Sequence, residues 1–204
     1  MTKWLVPTLA ACLLCAALPA RAETLTLPAP DIQSGKALMQ ALNERHSARR
    51  FSPRPLSDRL LGDLLWAACG VNRPDGRRTI PTALNRQDIE IYVLRADGAW
   101  LYDAPRHSLE QATERDLRGL LGAQAFAREA PVTLLYVSDA RKNDNELYAA
   151  MHAGSAYQNV GLFCASVGLN NVVRASHDAE ALAQGLNLPA HKRIMISQSL
   201  GWGE

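Results

Sequence analysis

The chain has 204 residues, 48% of them apolar, and a formal charge of +2 from 22 Lys and Arg against 20 Asp and Glu. That length and apolar content suffice for one domain with a sizeable core. The near balance of charge argues against nucleic acid as a partner, since such domains usually gather a basic excess on one face.

The first stretch, MTKWLVPTLAACLLCAALPARAET, joins Lys3 to an apolar run from Trp4 to Leu18 and to small residues ending at Ala22. This is the pattern of a secretory signal peptide. The run is shorter than the roughly 20 apolar residues of a spanning helix, so no stable membrane insertion is expected. Residues 1–22 are therefore read as a Sec-type leader cleaved after Ala22. The mature chain, 23–204, is read as a single domain in the periplasm or outside the cell. The sequence LAAC, Leu9 to Cys12, offers the alternative of a lipoprotein anchored at Cys12. Cys12 and Cys15 leave with the leader. Cys69 and Cys164 lie in apolar, helix-like contexts without metal-ligand spacing and are expected as buried free thiols.

LTLPAPD predicts an extended arm, and Leu38, Ala41 and Leu42 recur at helical spacing within 34–45. Ser57 suits the cap of a helix through DRLLGDLLWAAC, with Gly70 as its stop. The Gly- and Pro-rich segment 70–87 reads as loop. DIEIYVLRADGAWLYD alternates and carries Asp97-Gly98, a hairpin signal. Ser108 and Gln111 suit a capping box for a helix running to Leu121. APVTLLYVSD reads as a strand buried on both faces. A long helix from Asn145 to Val167 is studded with Ala149, Ala150, Ala153, Gly154, Ala156 and Gly161, which suits a central or interface helix, and Gly168 ends it. NNVV, a short helix from Asp178 and the strand KRIMISQSLGW complete an α+β layout.

GxGxxG, GxxxxGK and GxSxG are all missing. His46, His107, His152, His177 and His191 are scattered, without metal spacing; His152, on the long helix, is placed to be satisfied in the core. Asp144 and Glu146 fall at a helix start, where capping accounts for them. What stands out is RHSARRF, Arg45 to Phe51, with three arginines, a histidine and a serine in seven positions. If extended, it sets Arg45, Ser47 and Arg49 on one side. Guanidinium groups bind phosphate through planar bidentate contacts. The stretch alone leaves open a solvated basic turn and a compact anion socket.

RHSARRF resembles the R-x-S-x-[RK]-x-F signature of the FMN-dependent nitroreductases. IPTALNRQDIEIYVL, Ile80 to Leu94, is similar to that family's second motif. The run RRTIPTALNRQDIEIYVLRADGAWLYD is nearest the branch of thiazole/oxazole-forming peptide dehydrogenases. HAGSAYQNVGLFCASVGLNNVV and RIMISQSLGWG resemble the family's long helix, following strand and closing strand.

The resemblance implies a nitroreductase-like fold: a central, mainly antiparallel sheet flanked by helices. It implies FMN as cofactor, with Arg45 and Ser47 on its phosphate, His46 nearby, Arg49 and Asn85 at the pyrimidine edge, and the backbone at Ala175 facing N5. An amide at Asn85 offers both a donor and an acceptor to that edge. Where the family often has an acidic residue, Ala175 stands, and the family's further phosphate contacts are either absent here or replaced by Arg193 or Arg174. The resemblance further implies a homodimer, no catalytic side-chain nucleophile, and NAD(P)H or another donor alternating with a small-molecule substrate in a ping-pong cycle. Nitroaromatic or quinone-like acceptors, or oxidation of a small ring, are the implied substrates. A non-catalytic binder of flavin or another small planar ligand is the alternative reading.

Overall fold

The computed structural model describes residues 23–204, so the expected leader, with Cys12 and Cys15, lies outside the described residues. In chain order the elements are β1 (Thr24–Thr26), α1 (Leu38–Glu44), α2 (Asp58–Cys69), β2 (Ile89–Arg95), β3 (Gly98–Asp103), β4 (Ser108–Thr113), α3 (Ala125–Glu129), β5 (Val132–Asp139), α4 (Glu146–Val167), β6 (Leu169–Arg174), α5 (Ala179–Gly185) and β7 (Lys192–Trp202). The strands form one sheet in the order β1-β4-β3-β2-β5-β7-β6, and each neighbouring pair for which a register is defined runs antiparallel. The α+β expectation holds.

Period-two alternation divides the central strands between two cores. Ile89, Ile91 and Val93 of β2, with Leu134 and Tyr136 of β5, face α2 and α4, where Leu61, Leu64, Leu65, Ala153, Ala156 and Val160 meet them. Tyr92, Leu94, Leu135 and Val137 face the opposite layer, built from Leu117, Leu121, Ala127 and Leu182. Every residue of β5 is buried, which is why its apolar side chains run on unbroken from Leu134 to Val137 rather than alternating.

The helices that carry the site have legible ends. The Ser57 side chain accepts the Leu60 N–H at 3.3 Å at the start of α2. Gly70 follows the last turn of that helix in an extended conformation, and a Cβ there would come within 2.4 Å of the Trp66 ring, so glycine is required. Asn145 accepts the Tyr148 N–H at 3.1 Å to cap α4, and Gly168 stops it at φ 80°, a left-handed value that favours glycine. The small residues Ala149, Ala153, Ala156 and Gly161 are buried along α4 and let it lie close to the sheet and to neighbouring chain. No helix among the described residues is long and apolar enough to cross a membrane.

The expected helix from Ser108 to Leu121 is a correction. Ser108 to Thr113 is strand, paired on one side with β3 and on the other with β1. The turn at 104–107, with His107 at φ 49°, sends the chain back along the open edge of β3, and Leu109 is fully buried there. A ladder of backbone hydrogen bonds and a buried leucine outweigh a local capping pattern. Only the short turn Arg118–Leu120 is helical, of the 3-10 type, and the later helix α3 was not expected. The helix foreseen over 34–45 is confined to Leu38–Glu44, and its cap position, Ala37, has no side-chain acceptor.

Candidate functional site

RHSARRF leaves α1 and runs without regular structure along the end of the sheet. Its course is fixed by backbone bonds: the Ala48 N–H donates to the Asn171 carbonyl at 2.9 Å, and the Ser52 N–H to the Trp202 carbonyl at 2.8 Å. The Asn170 side chain adds a donor to the Arg50 carbonyl at 2.8 Å. Phe51 is buried with Ala130 and Val172, pinning the far end. The segment is thus a rigid rail held by β6 and β7.

On this rail Arg45 is half-buried, with its stem against Gly161 of α4, where Cδ lies 3.6 Å from the Cβ position. Ser47, Arg49 and Arg50 are exposed. His46 turns back on its own chain, its Nδ1 2.8 Å from the Glu44 carbonyl. Among the described residues no carboxylate lies within ion-pairing distance of Arg45, Arg49 or Arg50, whereas Arg59, Arg77, Arg86, Arg95, Arg106, Arg118, Arg141 and Arg193 all have one. A fixed segment carrying guanidinium groups that no carboxylate neutralises fits an anion.

Asn85 stands on a second segment, the 3-10 turn Ala83–Asn85 ahead of β2. Leu84, Asn85 and Gln87 all have φ near 50°, a region costly for residues with a side chain. A cluster of such strain persists only where its surroundings over-determine it. Here Gln87 supplies part of that support: its Nε2 donates to the Gly76 carbonyl at 3.1 Å and to Asn85 Oδ1 at 3.2 Å, and its Oε1 accepts from Arg78 Nε at 3.1 Å.

The remaining support is a buried group that sequence reasoning did not assemble. Asp88 is fully buried and its carboxylate accepts from His152 Nδ1 at 2.6 Å, Asn143 Nδ2 at 3.0 Å and Ser138 Oγ at 3.1 Å. His152 Nε2 lies 2.8 Å from the Ala83 amide nitrogen, which donates to it. Those partners assign the tautomer with hydrogen on Nδ1. The expectation that His152 is satisfied in the core holds, and its bond to Ala83 ties the strained turn to α4. An aspartate directly ahead of the largely apolar β2 was the one available signal.

Ala175 follows β6 and is exposed. Arg174 before it is buried, and its donors serve the chain itself: Nε reaches Gln124 Oε1 at 2.9 Å, and Nη2 reaches the carbonyls of Leu121 at 2.7 Å and Ser176 at 2.9 Å. Its guanidinium also covers the Phe126 ring. Arg174 therefore holds the 121–124 loop, which accounts for those donors without a phosphate, while Arg193 pairs with Glu146 at 3.1 Å. Two buried atoms flanking Ala175, Arg174 Nη1 and His177 Nδ1, have no partner among the described residues.

The segments do not touch through hydrogen bonds among the described residues. Both lean on α4, Arg45 at Gly161 and Ala83 at His152. At 1.5 Å per residue, about 13 Å of helix separates those points.

The sequence matches the Nitroreductase family over residues 42–202. A protein of Methanocaldococcus jannaschii that carries the name "Putative nitroreductase" is 31% identical over 175 residues, covering 78% of this chain and 88% of that one. The crystal structure of a "putative nitroreductase" from Ralstonia eutropha superimposes with a TM-score of 0.85 at 35% identity, covering 99% of this chain and 96% of that one. A third similar structure, a "putative nitroreductase in complex with FMN" from Desulfovibrio desulfuricans, has a TM-score of 0.58 at 22% identity over 83% of this chain and 88% of that one, and shares the fold. With the matched segment spanning both the guanidinium-bearing rail and the strained turn, the chain belongs to the nitroreductase family.

Proposed function

We propose that this protein is an FMN-dependent oxidoreductase. The observation that carries the reading is the cluster of carboxylate-free arginines on a rail fixed by β6 and β7. Arg45 and Ser47 would hold the phosphate, with His46 alongside. Arg49 and Asn85 would address the pyrimidine edge, and the backbone at Ala175 the central ring. The FMN complex of the Desulfovibrio desulfuricans protein, which shares the fold, supports this choice of cofactor.

The flavin supplies the electron transfer, and the protein supplies binding, orientation and electrostatics. Arg49 would contribute positive charge where reduction adds electron density. Asn85, fixed by Gln87 and by the His152 bond to Ala83, would present its amide without paying to reorganise. No side-chain nucleophile is needed. NAD(P)H or another reductant would alternate with a nitroaromatic or quinone-like acceptor in a ping-pong cycle. Oxidation of a small ring, in the manner of the peptide dehydrogenase branch, rests on the likeness of residues 77–103 alone.

The pairing of two copies is part of the same proposal. Leu38 and Met39 of α1, Leu147 and Met151 of α4 and the turn residue Leu84 are large apolar side chains, each more than half exposed. Large apolar side chains left exposed on α1, on α4 and beside Asn85 in the chain suit a partner surface, and a second copy would cover them. Export to the periplasm or beyond rests on the leader sequence of residues 1–22.

Purified protein tests the reading directly. A flavin absorbance spectrum, bleached by NAD(P)H and restored by a nitroaromatic or quinone, supports it. Colour without turnover supports a binding protein, and colourless protein that takes up no FMN overturns the assignment.

A further inference from the structure

The segment Val71 to Arg78, within the expected loop 70–87, is a small closed hairpin. Val71 and Arg78 form an antiparallel bridge, the Asn72 N–H donates to the Arg77 carbonyl at 3.1 Å, and the Thr79 N–H to the Gly70 carbonyl at 2.9 Å. The tip is Arg73-Pro74-Asp75-Gly76, closed by the Gly76 N–H to the Arg73 carbonyl at 3.0 Å, with Gly76 at φ 78°. Proline second and glycine fourth suit this turn.

The hairpin walls an open groove of about 360 Å³ with Arg73, Arg77, Arg78, Thr82 and Asn85 on its lining and no carboxylate among the lining residues. Two of the three guanidinium groups are tied to the framework. Arg78 donates through Nε to Gln87 and its Nη1 lies 3.8 Å from Cys69 Sγ. Arg73 donates through Nη2 to the Arg78 carbonyl at 2.6 Å, locking the hairpin across its width. Arg77 has a single anionic partner, Asp75, at 3.2 Å, leaving more than one positive charge uncompensated around one space. Like charges held together at a fixed mouth attract an anion and favour its approach.

We propose that this hairpin is an anion-binding subsite that selects a carboxylate- or phosphate-bearing reactant and sets it beside Asn85. The inference rests on the proposed flavin site for its functional meaning, because Asn85 belongs to both. The three arginines offer planar, multidentate donors, which suit an oxygen anion carried at the end of a larger molecule. An acceptor or electron donor with such an anion would be held with its reactive part toward the flavin edge, and a neutral analogue would lose that hold.

The subsite is tested without turnover. Inorganic pyrophosphate and benzene-1,3,5-tricarboxylate are titrated calorimetrically at low salt into the protein, with and without saturating FMN. Saturable binding of either probe is expected, at least tenfold weaker in the Arg73→Gln/Arg77→Gln double variant with an unchanged far-ultraviolet spectrum. The tighter probe identifies the anion class. Arg115→Gln, an exposed position away from the hairpin, should leave binding unchanged. Absence of saturable binding overturns the proposal, as does an equal loss in Arg115→Gln. Loss, at saturating FMN, of the probe binding that the Arg73→Gln/Arg77→Gln variant lacks also overturns it, because the hairpin groove would then be part of the cofactor site. FMN affinity, measured separately by fluorescence, reports on the flavin site itself, so the failure of one reading is distinguishable from failure of the other.

Discussion

His152 of α4 and Asp88 at the head of β2 meet at 2.6 Å inside the protein, and this contact aims the other ring nitrogen at the Ala83 amide. One buried pair thereby connects a helix, a central strand and the strained turn that carries Asn85. Removing the imidazole leaves a buried carboxylate with two donors in place of three and frees the turn. His152→Ala is expected to lower stability by about 3 kcal/mol, read as a shift in the urea midpoint. Amide exchange at 83–87 should accelerate more than in the core strands. Unchanged exchange in that segment contradicts the tethering role.

The arginine rail and the turn are expected to act on flavin retention, not on folding. Arg49 and Asn85 are exposed and make no contact that the core depends on. Hydrogen bonds to charged groups contribute on the order of 1.5–3 kcal/mol, so Arg49→Ala should weaken FMN binding by roughly 10- to 100-fold. Asn85→Ala, losing neutral bonds, should cost roughly tenfold. Equilibrium dialysis gives both values. Wild-type affinity in both variants would remove these residues from the site.

Much of this architecture was legible because it is local. The cap Ser57, the stop Gly168 and the apolar run of β5 each sit within a few residues of what they determine. RHSARRF is likewise one contiguous stretch, so its charge is visible in the chain. The Asp88–His152 bond spans 64 positions and the Arg45–Gly161 packing spans more, and no local pattern announces either. The misread segment at Ser108 shows the opposite limit. Its capping pattern was real, but the edge of β3 supplied a ladder that the pattern could not anticipate.

Acid is expected to destabilise the fold through two histidines. Burial lowers the proton affinity of His107 below the usual 6.5 against the opposing pull of the Pro28 carbonyl, and burial with the nearby Arg174 does the same at His177. As pH falls through 6.5 the unfolded chain takes up protons that the folded chain refuses, so stability is full above that value and declines below it. His107 also bridges Tyr102, at 2.8 Å, to the Pro28 carbonyl, at 3.0 Å, holding the N-terminal arm. The urea midpoint should drop between pH 7.5 and 5.5, and drop less in a His107→Gln/His177→Gln variant. An equal drop in that variant contradicts the assignment.

The two thiols of the described chain are expected to be inert. Cys69 and Cys164 are free and buried. Burial pushes the Cys69 thiol up to about 11 in spite of Arg78, and pushes Cys164 higher still. Thiolate is therefore scarce at neutral pH. A chromogenic disulfide reagent should leave the native protein unlabelled and titrate both thiols in denaturant. Rapid labelling of the native state contradicts this picture.

Titration of the folded protein with FMN, followed by quenching of flavin fluorescence, tests the central claim most directly. Saturable quenching is predicted for the wild type, with loss of most of that affinity in an Arg45→Ala/Arg49→Ala variant whose circular dichroism is unchanged. A wild-type sample that is folded yet produces no saturable quenching contradicts the account.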